Sequence, residues 1–229
     1  MPPAPEHPNR TASQILRYGG VEEAVAKFEA GSDPHEIDEM FCTPIIYAAA
    51  RGSWLAFETL IKHGADPAHT GRFGETAFGI ALAGTLRANS RNWSQRQIAD
   101  CKKIVKHLAL HGSLSPEQEA VYAIAKNKWK RVAELLANGL SIDAGIPDCN
   151  ADITPPTTQK QLDAYTEKCL SKKNPTIVVN QLSLLMWAAG LGRFEIYDSL
   201  LKAGADENYR DAFDNPAKDY FTHHSRNKK

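Results

Sequence analysis

The stretch Leu60-Ile61-Lys62-His63-Gly64-Ala65-Asp66 returns later in the chain as Leu200-Leu201-Lys202-Ala203-Gly204-Ala205-Asp206. In both stretches two apolar residues and two spacers precede Gly-Ala-Asp. This pattern predicts the end of a short amphipathic helix, where glycine adopts a left-handed backbone conformation that is unfavourable for residues with a Cβ atom. Its recurrence indicates that the chain repeats one supersecondary unit.

The glycines of this pattern give the period of the repeat. An earlier copy ends at Gly31, and the interval from Gly31 to Gly64 defines one period. Further copies end at Gly112 and Gly139. The opening half of the unit also recurs, as Thr43-Pro44-Ile45-Ile46-Tyr47-Ala48-Ala49, Gly74-Glu75-Thr76-Ala77-Phe78-Gly79-Ile80-Ala81 and Ser183-Leu184-Leu185-Met186-Trp187-Ala188-Ala189.

A period of about 33 residues with a Thr-Pro-Leu-His-x-Ala phrase is typical of ankyrin repeats. Over residues 11–222 the chain resembles that family. The resemblance implies an all-α fold. We expect an ankyrin-repeat solenoid of helix-turn-helix units with short β-hairpin fingers, of about five repeats and a partial C-terminal cap. The histidine of the family phrase is replaced by other residues, so its local hydrogen bonds must be absent or replaced. The replacements are Ile46, Gly79, Val121 and Met186.

Each part of the phrase has a local role. Thr43 is predicted to cap the first helix through its hydroxyl, and Pro44 suits the first helical position, where no amide donor is needed. Large residues recur at two positions of the unit, and we expect both positions to lie in the core. The first holds Val21, Trp54, Trp129 and Phe194, and the second holds Tyr47, Ile80, Tyr122 and Trp187.

Irregular spacings between the glycines predict two insertions. The interval from Gly64 to Gly112 is close to one and a half periods, which indicates an insertion at about 86–97 within the third repeat. The interval from Gly139 to Gly204 is close to two periods. We interpret the extra length as an insertion over 146–180, with a decayed repeat as the alternative. It is expected to contain a helix near 158–172 and a strand-like segment at 175–179.

The boundaries follow from these repeats. Residues 1–10 are predicted to be a disordered Pro-rich lead without the apolar core of a signal peptide. Residues 11–222 are predicted to form a single ankyrin-repeat domain, and residues 223–229 a basic tail.

Composition narrows the class of partner. The 229 residues are 42% hydrophobic, and 27 basic side chains balance 27 acidic ones, so no overall charge favours nucleic acid or a membrane surface. No apolar run approaches the roughly 18 residues of a membrane span. Four cysteines without paired spacing favour a reducing compartment. We therefore expect a cytoplasmic protein, or one delivered into a host cytosol.

No motif supports catalysis, a cofactor or a metal site. His107 and His111 have a spacing that can hold a metal, but a solvated helix end explains them better. The pair His223 and His224 lies in the basic tail, and no phosphate-binding glycine loop or activated nucleophile is present. We therefore expect neither catalytic nor metal-binding residues and no cofactor.

Candidate protein-binding residues come from the fingers, the concave face and the first insertion. One finger-tip position holds Met40, Phe73 and Phe213, and Arg72 lies beside Phe73. By resemblance to ankyrin proteins, the concave face includes Arg51, Lys126 and Leu191. Trp93 lies in the first insertion among Arg87, Arg91 and Arg96, where an interface anchor and a contact with its own repeat are about equally expected.

These features predict a non-catalytic, monomeric module that binds, and thereby inhibits or sequesters, a specific partner protein. An immunity protein and a secreted bacterial effector both fit. The alternative is a small enzyme with a site in the 146–180 insertion, where Cys149 or Cys169 would be the reactive group. A nucleic-acid scaffold is disfavoured by the neutral charge and would require steeply salt-dependent DNA binding. It would use the patch of Arg87, Arg91 and Arg96 together with Lys102, Lys103 and Lys106.

Overall fold

The structure is a computed structural model that describes residues 10–18, 20–38, 41–72, 74–86, 94–111, 114–147, 181–211 and 216–223. The described chain is mostly helical, as the all-α class predicts. It divides into two compact units, Met1–His107 and Leu108–Lys229.

The first unit contains short helices joined as pairs. Helix α1 pairs with α2 and α3 pairs with α4, while α3 also packs against α1 and α5, and α2 against α4. First and second helices therefore form two rows. The elements are α1 Ala12–Tyr18, α2 Val21–Glu29, α3 Pro44–Ala50, α4 Trp54–Lys62, α5 Ala77–Leu86 and α6 Gln95–Leu110, the last of which continues into the second unit.

Helix α6 is held against α3 and α4 by polar contacts along its first turns. The Gln97 side chain donates to the Arg51 carbonyl at 3.2 Å. The Cys101 thiol lies 3.9 Å from the Ala49 carbonyl. The backbone amide of Trp54 donates to the Asp100 carboxylate at 3.4 Å. These contacts place the apolar face of α6, with Ile98 and Ile104, in the core.

The second unit contains two helix pairs and a short sheet. Helix α7 pairs with α8 and also packs against α9, which in turn pairs with α10. A C-terminal 3₁₀-helix, Ala217–His223, packs against α9. The remaining elements are α7 Pro116–Ala125, α8 Trp129–Ala137, β1 Gly145–Pro147, β2 Gln181–Ser183, α9 Leu184–Gly190 and α10 Phe194–Lys202.

The glycines that define the repeat adopt the predicted conformation. Gly31, Gly64, Gly139 and Gly204 have φ angles of 98°, 87°, 97° and 98° and follow the ends of α2, α4, α8 and α10. The Asp of Gly-Ala-Asp then closes a local turn: Asp66 accepts from the amide of Ala68 at 2.9 Å, and Asp206 from that of Asn208 at 2.8 Å. The recurring stretch is therefore a helix end followed by a side-chain-closed turn.

Strands β1 and β2 bring together the two chain segments that flank residues 148–180. They pair antiparallel, with Gly145 opposite Ser183 and Pro147 opposite Gln181. The strand-like segment predicted at 175–179 and the helix predicted at 158–172 lie outside the described residues, as do Cys149 and Cys169. Most of the insertion predicted at 86–97 also lies outside them.

The two predicted core positions differ in burial. Tyr47, Ile80 and Trp187 are buried, as predicted, and Tyr122 is half-buried. The prediction of a core position for the other set was wrong for Phe194, which is 50% exposed, whereas Trp54 and Trp129 are half-buried. Residues of this set begin second helices, at the edge of the core. There the Phe194 ring stacks on the Phe221 ring, with centroids 5.1 Å apart.

Serine and threonine hydroxyls at other positions cap several of the described helices, but the Thr43 hydroxyl does not. Pro44 occupies the first turn of α3 as predicted, but Thr43 makes no capping bond, and its buried Oγ1 has no hydrogen-bond partner among the described residues. In contrast, the hydroxyls of Ser53, Ser115 and Ser183 accept amides from the first turns of α4, α7 and α9.

This difference predicts opposite effects of two conservative substitutions. Thr43→Val removes a buried hydroxyl without a partner and should raise the free energy of unfolding by about 1 kcal/mol. Ser183→Ala removes a capping acceptor and should lower the free energy of unfolding by about 1 kcal/mol. Urea denaturation of both variants measures the difference. A Thr43→Val variant as destabilised as Ser183→Ala would mean that the Thr43 hydroxyl has a partner after all.

Candidate functional site

The most unusual exposed side chain of the first unit is Phe41, in the turn between α2 and α3. Its ring is 56% exposed and its φ angle is 56°, in the left-handed region. Large residues rarely adopt this conformation, because the Cβ atom crowds the backbone carbonyl. Phe41 therefore combines an exposed apolar surface with an unfavourable backbone conformation.

The following turn shows that the backbone at this position suits glycine. Gly74, one period of the repeat after Phe41, has a φ angle of 82°. The Phe41 amide donates to the Asp38 carbonyl at 3.0 Å, and the Gly74 amide donates to the Gly71 carbonyl at 3.1 Å. Because both turns share this hydrogen bond and the sign of φ, Phe41 occupies a position that the next turn gives to glycine.

Two side chains of the following turn contact Phe41. The ring nitrogen Nε2 of His69 donates to the Phe41 carbonyl at 2.8 Å. The guanidinium carbon of Arg72 lies 5.9 Å from the centre of the Phe41 ring, within the range of a cation–π interaction. We refer to Phe41, His69 and Arg72 as the Phe41 platform. It presents an aromatic ring and an exposed cation side by side.

Asp38 holds the turn that carries the Phe41 platform through contacts with three side chains or backbone groups. Its carboxylate accepts the hydroxyl of Tyr47 and the amide of Cys42, the latter at 3.0 Å, and lies 3.7 Å from the Arg17 guanidinium. The Asp38 side chain is only 7% exposed. The turn that carries Phe41 is thus joined to both α1 and α3, and its backbone conformation is held by contacts from several elements.

The same aspartate–tyrosine contact recurs in the second unit. The Tyr220 hydroxyl donates to the Asp211 carboxylate at 2.5 Å, with the same nine-residue separation as Tyr47 and Asp38. The turn at Gly71 has no carboxylate at the matching position, and Ile80 stands where Tyr47 would be. In both turns this pair supplies a hydrogen bond that joins the turn to the helix that follows it.

Burial raises the pKa of two ionisable groups next to the Phe41 platform, Cys42 and Tyr47. Burial, with smaller contributions from Glu75 and Asp38, raises the pKa of the Cys42 thiol from its ordinary 9.0 to about 12. Burial and the hydrogen bond to Asp38 also raise the pKa of Tyr47. Both groups therefore stay protonated at neutral pH, and a protonated thiol is a poor nucleophile.

The structure describes Arg72, Arg51, Lys126 and Leu191 among the predicted binding residues. Arg72 is exposed and belongs to the Phe41 platform. Arg51, Lys126 and Leu191 occupy equivalent positions just after α3, α7 and α9. Arg51 is half-buried, and its Nε donates to the Leu16 carbonyl at 2.9 Å, so this side chain also joins α1 to α3.

Four predicted binding residues cannot be placed. Met40, Phe73, Trp93 and Phe213 lie outside the described residues, and their assignment to a binding surface stays a prediction. Sequence reasoning chose Met40 and missed Phe41 beside it. The signal was available, because Phe41 aligns with Gly74 and a bulky residue at a turn-glycine position indicates an unusual role.

The interpretation of His107 as part of a solvated helix end was wrong. His107 is half-buried, and its ring packs edge-on against Trp54 and Phe57, with centroids 5.7 Å and 5.6 Å away. Across the described ranges, no group of three His, Cys, Asp or Glu side chains is arranged to hold a metal ion. Within the same ranges, none of the helices is both long and apolar enough to span a bilayer.

Comparison with known proteins adds no relative: the chain matches no protein-family model and no curated protein. The ankyrin resemblance therefore rests on the residues and spacings of this chain alone.

Proposed function

We propose that this protein is a non-catalytic interaction module, built as an ankyrin-repeat solenoid, that binds and thereby inhibits or sequesters a partner protein. The observation that carries the proposal is Phe41, whose exposed ring is held at a positive φ angle. This backbone conformation is unfavourable for a residue with a Cβ atom, and more than half of the residue's surface is exposed to solvent. Strain of this kind concentrates at functional sites.

The composition of the Phe41 platform fits protein recognition. An aromatic ring supplies a large apolar contact area with few rotatable bonds, and arginine supplies directed hydrogen-bond donors. The Asp38 and His69 hydrogen bonds fix the backbone of the turn before any partner arrives. A preformed anchor reduces the ordering entropy lost on binding.

Several features support the proposed repeat architecture. Four helix-ending glycines share one backbone conformation, and Arg51, Lys126 and Leu191 share one position after the first helices. Antiparallel β1 and β2 resemble a finger, and α7 packs directly against α9. The pairing of β1 with β2 and the packing of α7 against α9 both favour an insertion over a decayed repeat.

The role as immunity or inhibitor protein, or as a secreted effector, follows from this proposal. In each case the protein covers a functional surface of its partner. Cytoplasmic location and a monomeric state are part of the same proposal.

Replacing Phe41 with glycine should separate stability from binding. Phe41→Gly relieves the left-handed conformation, so the free energy of unfolding should stay level or rise by up to about 1 kcal/mol. Capture of the partner from lysates of the source organism and its host should be lost, as measured by affinity capture and mass spectrometry. Thermal unfolding of the same preparation establishes that the variant is folded.

A matched control removes an exposed apolar side chain elsewhere. Leu110, at the end of α6, is 70% exposed, and Leu110→Ala should leave partner capture unchanged. If Phe41→Gly captures the same protein as the wild type, Phe41 is not the anchor. If both variants lose capture equally, general surface hydrophobicity rather than the Phe41 platform explains binding.

A further inference from the structure

Four basic residues of the second unit gather around the turns that open α8 and α10. Lys126 follows the last residue of α7, Lys128 and Arg193 occupy the N-cap positions of α8 and α10, and Lys130 lies in the first turn of α8. The Arg193 guanidinium donates through Nη2 to the carbonyl of Ala125, next to Lys126, at 2.7 Å. We call Lys126, Lys128, Lys130 and Arg193 the basic turn cluster.

None of these four cations has a carboxylate within 4 Å among the described residues. Glu119 on α7 and Glu134 on α8 pair instead with Arg131, at 2.8 Å and 3.0 Å. Lys126 instead places its ammonium 5.5 Å from the Tyr122 ring centre. Within the described part of the chain, which has no net charge over its full length, the cluster is a local concentration of positive charge without an ion-pair partner.

The helix ends strengthen the positive potential. Lys128 and Arg193 stand at the N-caps of α8 and α10, and neither side chain caps its helix. A helix N-terminus already carries a partial positive charge, which favours an anion and disfavours a cation. In addition, the Nε atom of Arg193 is buried without a hydrogen-bond partner among the described residues. Cations at these two helix N-termini are unfavourable in the isolated unit, and an anion bound beside Lys128 and Arg193 offsets this repulsion.

We infer that the basic turn cluster docks an acidic segment of a partner protein. The inference rests on the proposed function, since it takes the ligand to be a protein. Phe194, 50% exposed and next to Arg193, offers an apolar contact beside the cations. A segment that places carboxylates beside a large apolar side chain complements both features.

The surrounding charges favour a protein over a nucleic acid. Exposed carboxylates border the cluster, with Glu195 following Phe194 and Glu134 one turn beyond Lys130. A nucleic-acid backbone carries phosphates at regular intervals and gains affinity from long basic surfaces. The basic turn cluster is short and bounded by negative charge, so it suits a short acidic peptide better.

The test uses two short synthetic peptides, one alternating Glu with Leu and one with Gln in place of Glu. The full chain should bind the Glu peptide and not the Gln peptide, and the affinity should fall as salt is added. Lys126→Glu with Lys128→Glu should weaken binding of the Glu peptide by roughly tenfold or more. Glutamate suits the N-cap of α8 but not the C-terminal end of α7, so thermal unfolding of the double variant must establish that it is folded.

The control double variant makes the same change of charge on another helix. Lys102 and Lys106 are exposed on α6, and Lys102→Glu with Lys106→Glu should leave the affinity for the Glu peptide nearly unchanged. Equal losses in the two double variants, or equal binding of both peptides, would overturn the assignment to the basic turn cluster. Tighter binding of a DNA or RNA oligonucleotide at this cluster would overturn the choice of a protein ligand.

The two proposals fail in different ways. Phe41→Gly should not change binding of the Glu peptide, because the cluster does not include Phe41. If Phe41→Gly retains partner capture while the lysine variant loses the peptide, the Phe41 platform is the part that fails. If partner capture depends on Phe41 but the Glu peptide does not bind, the acidic-segment inference is the part that fails.

Discussion

Leu60→Ala is expected to lower the free energy of unfolding by roughly 2–5 kcal/mol, as truncation of a buried leucine does. Leu60 lies in α4 and is 0% exposed. Its carbonyl also accepts the Ala65 amide at 2.9 Å, in the turn that follows the helix. The substitution removes packed methyl groups and leaves a cavity that the helices on either side cannot fully close. Urea denaturation followed by circular dichroism measures the change.

The same helix supplies a matched control. Leu55 is 46% exposed, and Leu55→Ala removes the same atoms from a position that water already reaches. Because less apolar surface is lost from the core, Leu55→Ala should cost less than about 1 kcal/mol. Similar losses for Leu60→Ala and Leu55→Ala would contradict the placement of Leu60 in the core.

Asp38→Ala should be comparably destabilising, by about 3 kcal/mol, for an electrostatic rather than a packing reason. It removes the acceptor for the Tyr47 hydroxyl and the Cys42 amide, and the carboxylate that lies 3.7 Å from Arg17. The groups that remain are largely buried, and an alanine side chain cannot pair with them. Partner capture should weaken as well, because the turn that presents Phe41 loses its anchor.

Asp38→Asn separates the roles of shape and charge. The amide oxygen of asparagine can still accept the Cys42 amide, but the negative charge opposite Arg17 is lost. We expect a loss of stability intermediate between the wild type and Asp38→Ala, measured by the same denaturation experiment. If Asp38→Ala were as stable as the wild type, Asp38 would not anchor the turn. The further comparison with Tyr47→Phe shows how much of the loss belongs to the hydroxyl contact.

Local sequence rules were sufficient for the helix ends. The left-handed glycines at Gly64 and Gly204 and the start of α3 at Pro44 depend on residues within one turn, so a short stretch of sequence specifies them. Burial of Tyr47 and Trp187 was also predictable, because their position recurs with the repeat. In contrast, Phe194 shares a repeat position with Trp54 but lies where the C-terminal 3₁₀-helix meets α10, and its ring stacks on Phe221 there.

The candidate sites were less predictable, because contacts between residues distant in sequence create them. Arg72 and Lys126, which the sequence proposed as binding residues, are exposed, but the sequence treated each separately. Only the structure shows Arg72 against Phe41 and Arg193 beside the residue that precedes Lys126. Likewise, the hydroxyl of Thr43 met the sequence rule for a helix cap and is buried without a capping bond.

The sequence by itself determined that short helices recur and where they end, since helix ends depend on backbone preferences that each residue carries with it. The tertiary structure alone decided which side chains come together in the Phe41 platform and in the basic turn cluster. Phe41 has its conformation because Arg17 and Tyr47 contact Asp38 of its turn and His69 contacts its carbonyl, from three other segments of the chain. Arg193 joins the lysines of the basic turn cluster because its guanidinium donates to the carbonyl of Ala125, 68 residues earlier in the chain. Both depend on distances across the fold, which no local pattern of residues specifies.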